Sequence, residues 1–182
     1  MSNEQLELVN TVAGGKIDSE VDLQSLKEDL PFKTRYIKGP GLYFKFNEES
    51  PTIVLARSGK YFFTGSKSLQ EVKNTRSTVL NLFSELGIID TVEDDGFSVK
   101  NMVFTADLDH SMDLSNLSIV LGLESVEYEP EQFPGLIYRP DTHDCVLLIF
   151  TSGKVVITGS TNQDTAEMAF DQLLKVVSSN AV

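Results

Sequence analysis

Phe133-Pro134-Gly135-Leu136, followed by Phe150-Thr151-Ser152-Gly153-Lys154 and Val156-Ile157-Thr158-Gly159-Ser160, decides the fold, because the chain holds an earlier, altered copy of it. That copy reads Gly39-Pro40-Gly41-Leu42, Ala56-Arg57-Ser58-Gly59-Lys60 and Phe62-Phe63-Thr64-Gly65-Ser66. Pro40 and Pro134, Gly59 and Gly153, and Thr64 and Thr158 each stand 94 positions apart. A constant offset across three separated motifs marks an internal duplication. Further out, Leu8-Val9-Asn10-Thr11-Val12 opens the first copy and Val99-Lys100-Asn101-Met102-Val103 the second, 91 positions later. Each is followed by an acidic-apolar segment, Asp22 to Leu30 and Asp113 to Leu121. Tyr36 and Tyr128 read as counterparts 92 positions apart, which puts one extra residue before the second tyrosine and two between it and the turn. The repeats are expected to divide as 1–92 and 93–182.

The chain's 182 residues, 41% of them apolar, suit one domain or two similar halves sharing a sheet. A single cysteine, Cys145, excludes an intramolecular disulfide and precedes the apolar run Val146 to Phe150, where packing in a strand is expected of it. No apolar run approaches membrane-spanning length and the first residues lack a signal-like core, so a soluble cytoplasmic protein without a membrane partner is expected. A net charge of −12 argues against a uniformly basic nucleic-acid binder. Lys45, Arg57, Lys60, Arg139 and Lys154, however, sit in or beside the repeated motifs, while Glu48-Glu49 and Glu93-Asp94-Asp95 fall in linkers.

Hydrophobic periodicity predicts strands over Leu6–Ala13, Thr34–Tyr36, Leu42–Phe46, Thr52–Ala56 and Tyr61–Thr64, and a helix over residues 69 to 86 that ends at Gly87. The second half repeats the plan and closes on a helix with Ala166, Ala169, Phe170, Leu173, Leu174 and Val177 on one face. Each half is then strand, short helix, four strands, long helix, an α+β arrangement. If both helices cover one sheet face, the other is left for solvent or a ligand. Strand alternation puts Leu148, Phe150, Val156 and Thr158 on that open face. Apolar positions with paired amides, Asn10 and Asn101, and paired hydroxyls, Thr64 and Thr158, suit a DNA minor groove, which offers only sparse acceptors at A·T pairs.

At these residues the chain resembles the TATA-box-binding proteins of archaeal type. The second copy carries the family pattern Tyr-Glu-Pro-Glu-x-Phe-Pro-Gly-Leu-Ile-Tyr-Arg from Tyr128 to Arg139, then Leu-Leu-Ile-Phe-x-Ser-Gly-Lys from Leu147 to Lys154, then Thr158-Gly159. The resemblance covers nearly the whole chain, and the short stretch before Leu6 fits the archaeal form. It implies a saddle, a ten-stranded curved antiparallel sheet with four helices on its convex side. It also implies a general transcription initiation factor that binds A·T-rich promoter DNA and recruits transcription factor B and, through it, RNA polymerase. That family is itself the standard example of minor-groove kinking, with a bend of roughly 80°. Carried over by position, the resemblance implies groove contacts from Asn10, Asn101, Thr64 and Thr158, over a floor of Val12, Val54 and Phe62 in the first repeat and Val103, Leu148 and Val156 in the second. Lys45, Ser58, Lys60, Arg139, Ser152 and Lys154 would meet phosphates. Phe133, in its Phe-Pro134 turn, and Phe150 would wedge open a base step, and Glu129 and Glu131 would contact transcription factor B.

The first repeat departs from this pattern. Gly39 and Ala56 stand where the wedging phenylalanines would be, and Phe62 stands where a small β-branched residue is usual. Relaxed constraint after duplication and a changed DNA footprint both account for this. The alternative function is a divergent paralogue that acts mainly as an interaction module for transcription factor B, with weak or altered DNA binding. No phosphate-binding loop is formed by Gly65-Ser66-Lys67-Ser68, because the upstream glycine is missing. His110 and His143 have no second ligand at metal spacing, and no catalytic set stands out, so neither an enzyme nor a cofactor is expected.

Overall fold

The computed structural model describes residues 6–33, 35–39, 41–90 and 96–180. The expected repeat boundary at 92/93 and the start of the Thr34–Tyr36 strand lie outside the described residues. In chain order the elements are β1 (Glu7–Lys16), α1 (Leu23–Asp29), β2 (Arg35–Lys38), β3 (Gly41–Phe44), β4 (Thr52–Ala56), β5 (Lys60–Ser66), α2 (Leu69–Glu85), β6 (Ser98–Asp107), α3 (Leu114–Leu121), β7 (Val126–Glu127), β8 (Gly135–Tyr138), β9 (Val146–Phe150), β10 (Lys154–Ser160) and α4 (Gln163–Asn180). Each repeat is thus strand, short helix, four strands, long helix, and the strands make up a ten-stranded sheet. None of the described helices is long and apolar enough to cross a membrane.

The chain packs as two compact units. The first is Asn10–Lys100, and the second is Asn101–Val182 with the residues ahead of Asn10. In the first, the antiparallel strand order is β2-β3-β4-β5-β1; in the second it is β7-β8-β9-β10-β6. Local chemistry starts each helix. Asp22 caps α1 and Asp113 caps α3, each carboxylate accepting backbone N–H groups two and three residues on. Ser68 accepts from Glu71 N at the start of α2, while the Glu71 carboxylate reaches back to the Ser66 hydroxyl and the Lys67 N–H.

Alternation then sorts the sheet into two faces. In β5, Tyr61 and Phe63 are buried whereas Lys60 and Phe62 are exposed; in β10, Val155 and Ile157 are buried whereas Val156 and Thr158 are only half-buried. The buried side of the first unit packs Leu42, Phe44, Ile53, Leu55, Tyr61 and Phe63 against Leu23, Leu26, Val72, Val79 and Phe83 of α1 and α2. Burying one such side chain is worth about 1.5–3 kcal/mol, so this layer rather than helix propensity holds α1 and α2 in place. In the second unit Cys145 is buried, and burial pushes its thiol pKa up to about 11, with Asp144 adding to the shift.

Two readings of the sequence change. The first strand runs on through Gly14-Gly15 to Lys16 instead of stopping at Ala13, because Gly14 lies in register opposite Phe62. Tyr36 pairs with Tyr43, and Glu127 pairs with Ile137, so the counterpart of Tyr36 is Glu127 and not Tyr128. The extra residues of the second repeat therefore all fall between β7 and β8, in the loop that carries Phe133.

Candidate nucleic-acid interface

Antiparallel register lines up one row of open-face residues in each unit. In the first, the row is Tyr36, Tyr43, Val54, Phe62 and Gly14; in the second, Glu127, Ile137, Leu148, Val156 and Thr105. The first row is aromatic. Tyr36 and Tyr43 stack with ring centroids 5.2 Å apart and planes 6° apart, and Phe62 is 41% exposed. Val54, between Tyr43 and Phe62 in register, is buried, whereas its counterpart Leu148 is half-buried. Val12, Val103 and Val156 are also half-buried.

The amides are built identically in both units. Asn10 Oδ1 accepts from Gly65 N at 2.7 Å, and Asn101 Oδ1 accepts from Gly159 N at 2.8 Å. Gly65 and Gly159 have φ of +94° and +90°, a conformation that suits glycine and turns each N–H towards the amide. A backbone donor on Oδ1 fixes which end of the amide is the oxygen, so each asparagine presents its NH₂. The hydroxyls accompany them. Thr64 Oγ1 is 3.5 Å from Asn10 Oδ1, and Thr158 Oγ1 lies 3.1 Å from Asn101 Nδ2 as acceptor. An amide NH₂ has two hydrogens, so one remains for a ligand at Asn101.

Phe133 and Phe150 meet edge to face, with centroids 5.9 Å apart and planes at 63°. They meet over Gly135, which is paired with Phe150; a Cβ there would stand 2.9 Å from Phe133 Cε1 and 3.0 Å from Phe150 Cε1. The Glu129 carbonyl accepts from Gln132 N and Phe133 N at 2.9 and 3.0 Å and so shapes the turn that presents Phe133. Pro134, Glu129 and Glu131 are exposed in the same loop, and the Glu129 carboxylate also accepts from the Gln132 side chain. In the first unit Ala56 pairs with Gly41 as Phe150 does with Gly135, and the space above Gly41 is taken by Tyr43 Cε2 and Val54 Cγ1.

The cations fall at the margins. Ser58 and Lys60, like Ser152 and Lys154, are exposed at the β4–β5 and β9–β10 turns. Lys45 is engaged, its Nζ donating to the Glu48 carbonyl at 2.6 Å. Arg139 forms an ion pair with Glu127 at 2.8 Å. Sequence reading misses that partner, because aligning Tyr36 with Tyr128 makes Glu127 a neighbour of the counterpart rather than the counterpart itself. It also passes over Tyr43, Lys16 and Lys100, whose faces are set by register rather than by any motif.

A family model described as transcription factor TFIID, or TATA-binding protein, matches this chain twice, over residues 5–86 and again over 96–180. The chain belongs to the TATA-binding protein family. The two matched segments fall one in each half of the chain. The chain is 42% identical over 171 residues to TATA-box-binding protein C of Halobacterium salinarum, covering 91% of this chain and 93% of that protein. It is 35% identical over 176 residues to the TATA-box-binding protein of Archaeoglobus fulgidus, covering 95% and 94%. The structure of the Methanococcus jannaschii TATA-binding protein superposes with a TM-score of 0.78 at 34% identity, covering 96% of this chain and 99% of that one. The expected duplicated α+β fold of the TATA-binding protein family, with ten strands and four helices among the described residues, is therefore the fold observed, and the chain is a transcription initiation factor of archaeal type.

Proposed function

We propose that the open faces of the two repeats bind the minor groove of A·T-rich promoter DNA, bend it, and present the complex to transcription factor B, which brings RNA polymerase. The observation that carries this reading is the locked pair of asparagines, Asn10 and Asn101, each offering N–H donors two residues before a half-buried valine, Val12 or Val103. A·T pairs offer the minor groove only acceptors, whereas a G·C pair adds the guanine N2 donor, which would meet these amides donor to donor. Val12, Phe62, Val103, Leu148 and Val156 supply the apolar floor, with Val54 beneath Phe62 and Tyr43. Thr64 and Thr158 add hydroxyl contacts. Lys45, Ser58, Lys60, Arg139, Ser152 and Lys154 hold phosphates, and Phe133, Pro134 and Phe150 enter a base step. Glu129 and Glu131 form the surface for transcription factor B.

A mobility-shift titration on a TATA duplex and on its G·C-substituted counterpart, with and without transcription factor B, tests the reading. Specific binding should favour the TATA duplex, and Glu129→Ala with Glu131→Ala should weaken the ternary complex while sparing the binary one. Equal affinity for the two duplexes would overturn it. Gly39 and Ala56, in place of wedges, favour a second reading, an interaction module holding transcription factor B with little DNA affinity, and ternary binding without binary binding would select it.

A further inference from the structure

The open faces of the two units differ in charge at one equivalent place. In the first, Lys16, Lys60 and Lys100 surround Phe62, Gly14 and Val12 in a depression of about 540 Å³. In the second, the matching depression of about 590 Å³ has Asp107, Lys154 and Glu7 around Val156 and Thr105. The first depression thus carries three positive charges, and the second one positive and two negative.

The register makes the difference costly. Lys154 lies directly opposite Asp107, an attractive cross-strand pair, whereas Lys60 lies directly opposite Lys16. Like charges facing each other across an antiparallel pair destabilise a sheet. All three lysines are exposed, and among the described residues none forms an ion pair with a carboxylate; Lys100 Nζ donates to the Ser98 hydroxyl at 2.6 Å. A protein of net charge −12 thus gathers three lysines, paired with no carboxylate among the described residues, beside its exposed Phe62.

We propose that Lys16 and Lys100, with Lys60, form a phosphate-holding site of the first unit, occupied by the backbone of the bound DNA. This rests on the minor-groove reading above. Each ammonium is a point charge on a flexible stem, suited to a phosphodiester whose position varies with the bend. The first unit then grips DNA by charge where the second grips it by Phe133 and Phe150.

The test is DNA affinity of the full chain on a TATA duplex across a salt series. Lys16→Ala with Lys100→Ala should weaken binding at least several-fold and flatten the slope of log K against log salt by about 0.9 for each phosphate that is no longer neutralised. Lys16→Arg with Lys100→Arg should restore both. Glu7→Gln with Asp107→Asn should tighten binding. Removing a lysine from an opposed pair should leave thermal stability unchanged or raised, so weaker binding would not reflect unfolding. A wild-type slope and affinity in the alanine double variant, or no rescue by arginine, would overturn the site while leaving minor-groove binding standing. Failure of the wild-type chain to bind the duplex would overturn both.

Discussion

Gly14 lies so close against Phe62 that a Cβ on Gly14 would stand 2.8 Å from the Phe62 Cβ and closer still to the Tyr61 carbonyl oxygen. The equivalent pair in the second repeat is Thr105 opposite Val156. A large ring with no side chain opposite has replaced two medium β-branched residues, so Phe62 is accommodated rather than merely tolerated. Gly14→Ala must push β1 from β5 and should cost about 1–3 kcal/mol, the usual range for overpacking. Denaturant midpoints would show it. Phe62→Val should relieve only part of the loss, because the Tyr61 oxygen is backbone; full rescue, or no loss at all, would contradict this account.

The duplication, the strand and helix order, the asparagines, the wedge pair and the turn cations can all be read from repeated motifs. The residues that escape are those placed by pairing partners distant in sequence. Gly14-Gly15 reads as a strand end until Phe62 is seen opposite, and Lys16 gains meaning only from Lys60 across the ladder. Tyr128 looks like the counterpart of Tyr36 when identity is weighed over register, and only the pairing of Glu127 with Ile137 corrects it. Burial of Val54 likewise depends on how large its cross-strand neighbours are, which a one-strand pattern does not contain.

The asparagine clamp separates fold from recognition. Asn101→Asp keeps the oxygen that accepts from Gly159 N but replaces the NH₂ with a second acceptor facing groove acceptors. Stability should stay near wild type while affinity for a TATA duplex falls by about 1–3 kcal/mol, roughly 5- to 150-fold. Asn10→Asp should behave alike through Gly65. Calorimetric melting beside anisotropy titration checks both halves; a variant that melts early yet binds normally would refute the argument.

Arg139 and Lys154 should differ under salt. Lys154→Ala removes an exposed cation and should flatten the salt slope by about 0.9. Arg139 must first leave Glu127, 2.8 Å away, so Arg139→Ala should flatten it less. Glu127→Gln should tighten binding by freeing the guanidinium. Equal slopes for the two alanine variants would mean that the ion pair does not compete with DNA.

Acid should loosen α1 through its cap. The Ser25 hydroxyl, 2.9 Å from the Asp22 carboxylate, and the N–H groups of Gln24 and Ser25 hold the Asp22 pKa below the usual carboxylate value. A lowered folded-state pKa contributes stability that is fully present above the unfolded value and lost as pH falls through the folded one. Asp22→Ala should therefore be less stable than wild type at neutral pH, with the gap closing below about pH 4. Urea midpoints at pH 7 and in acid would measure it, and a gap of constant size would exclude the carboxylate as its source.

The DNA bend should be uneven. Unstacking a base step costs a few kcal/mol and needs an inserted side chain to offset it. Phe133 and Phe150 meet over Gly135 and can enter such a step; the first repeat has Gly39 and Ala56 at the matching places, and its Tyr43 already fills the space above Gly41. Phe150→Ala should abolish detectable specific binding. The wild-type complex should carry a sharp kink at the second-repeat contact and a smoother curve at the first, favouring flexible pyrimidine–purine steps there. Ala56→Phe alone should gain little, since its ring would meet Tyr43, whereas Ala56→Phe with Tyr43→Ile, the residue of the second repeat, should increase the bend. Energy transfer between end-labelled duplexes measures the angle and chemical footprinting locates the kink. Two equal kinks in the wild-type complex would show that the stacked Tyr36 and Tyr43, or Phe62, already act as the missing wedge.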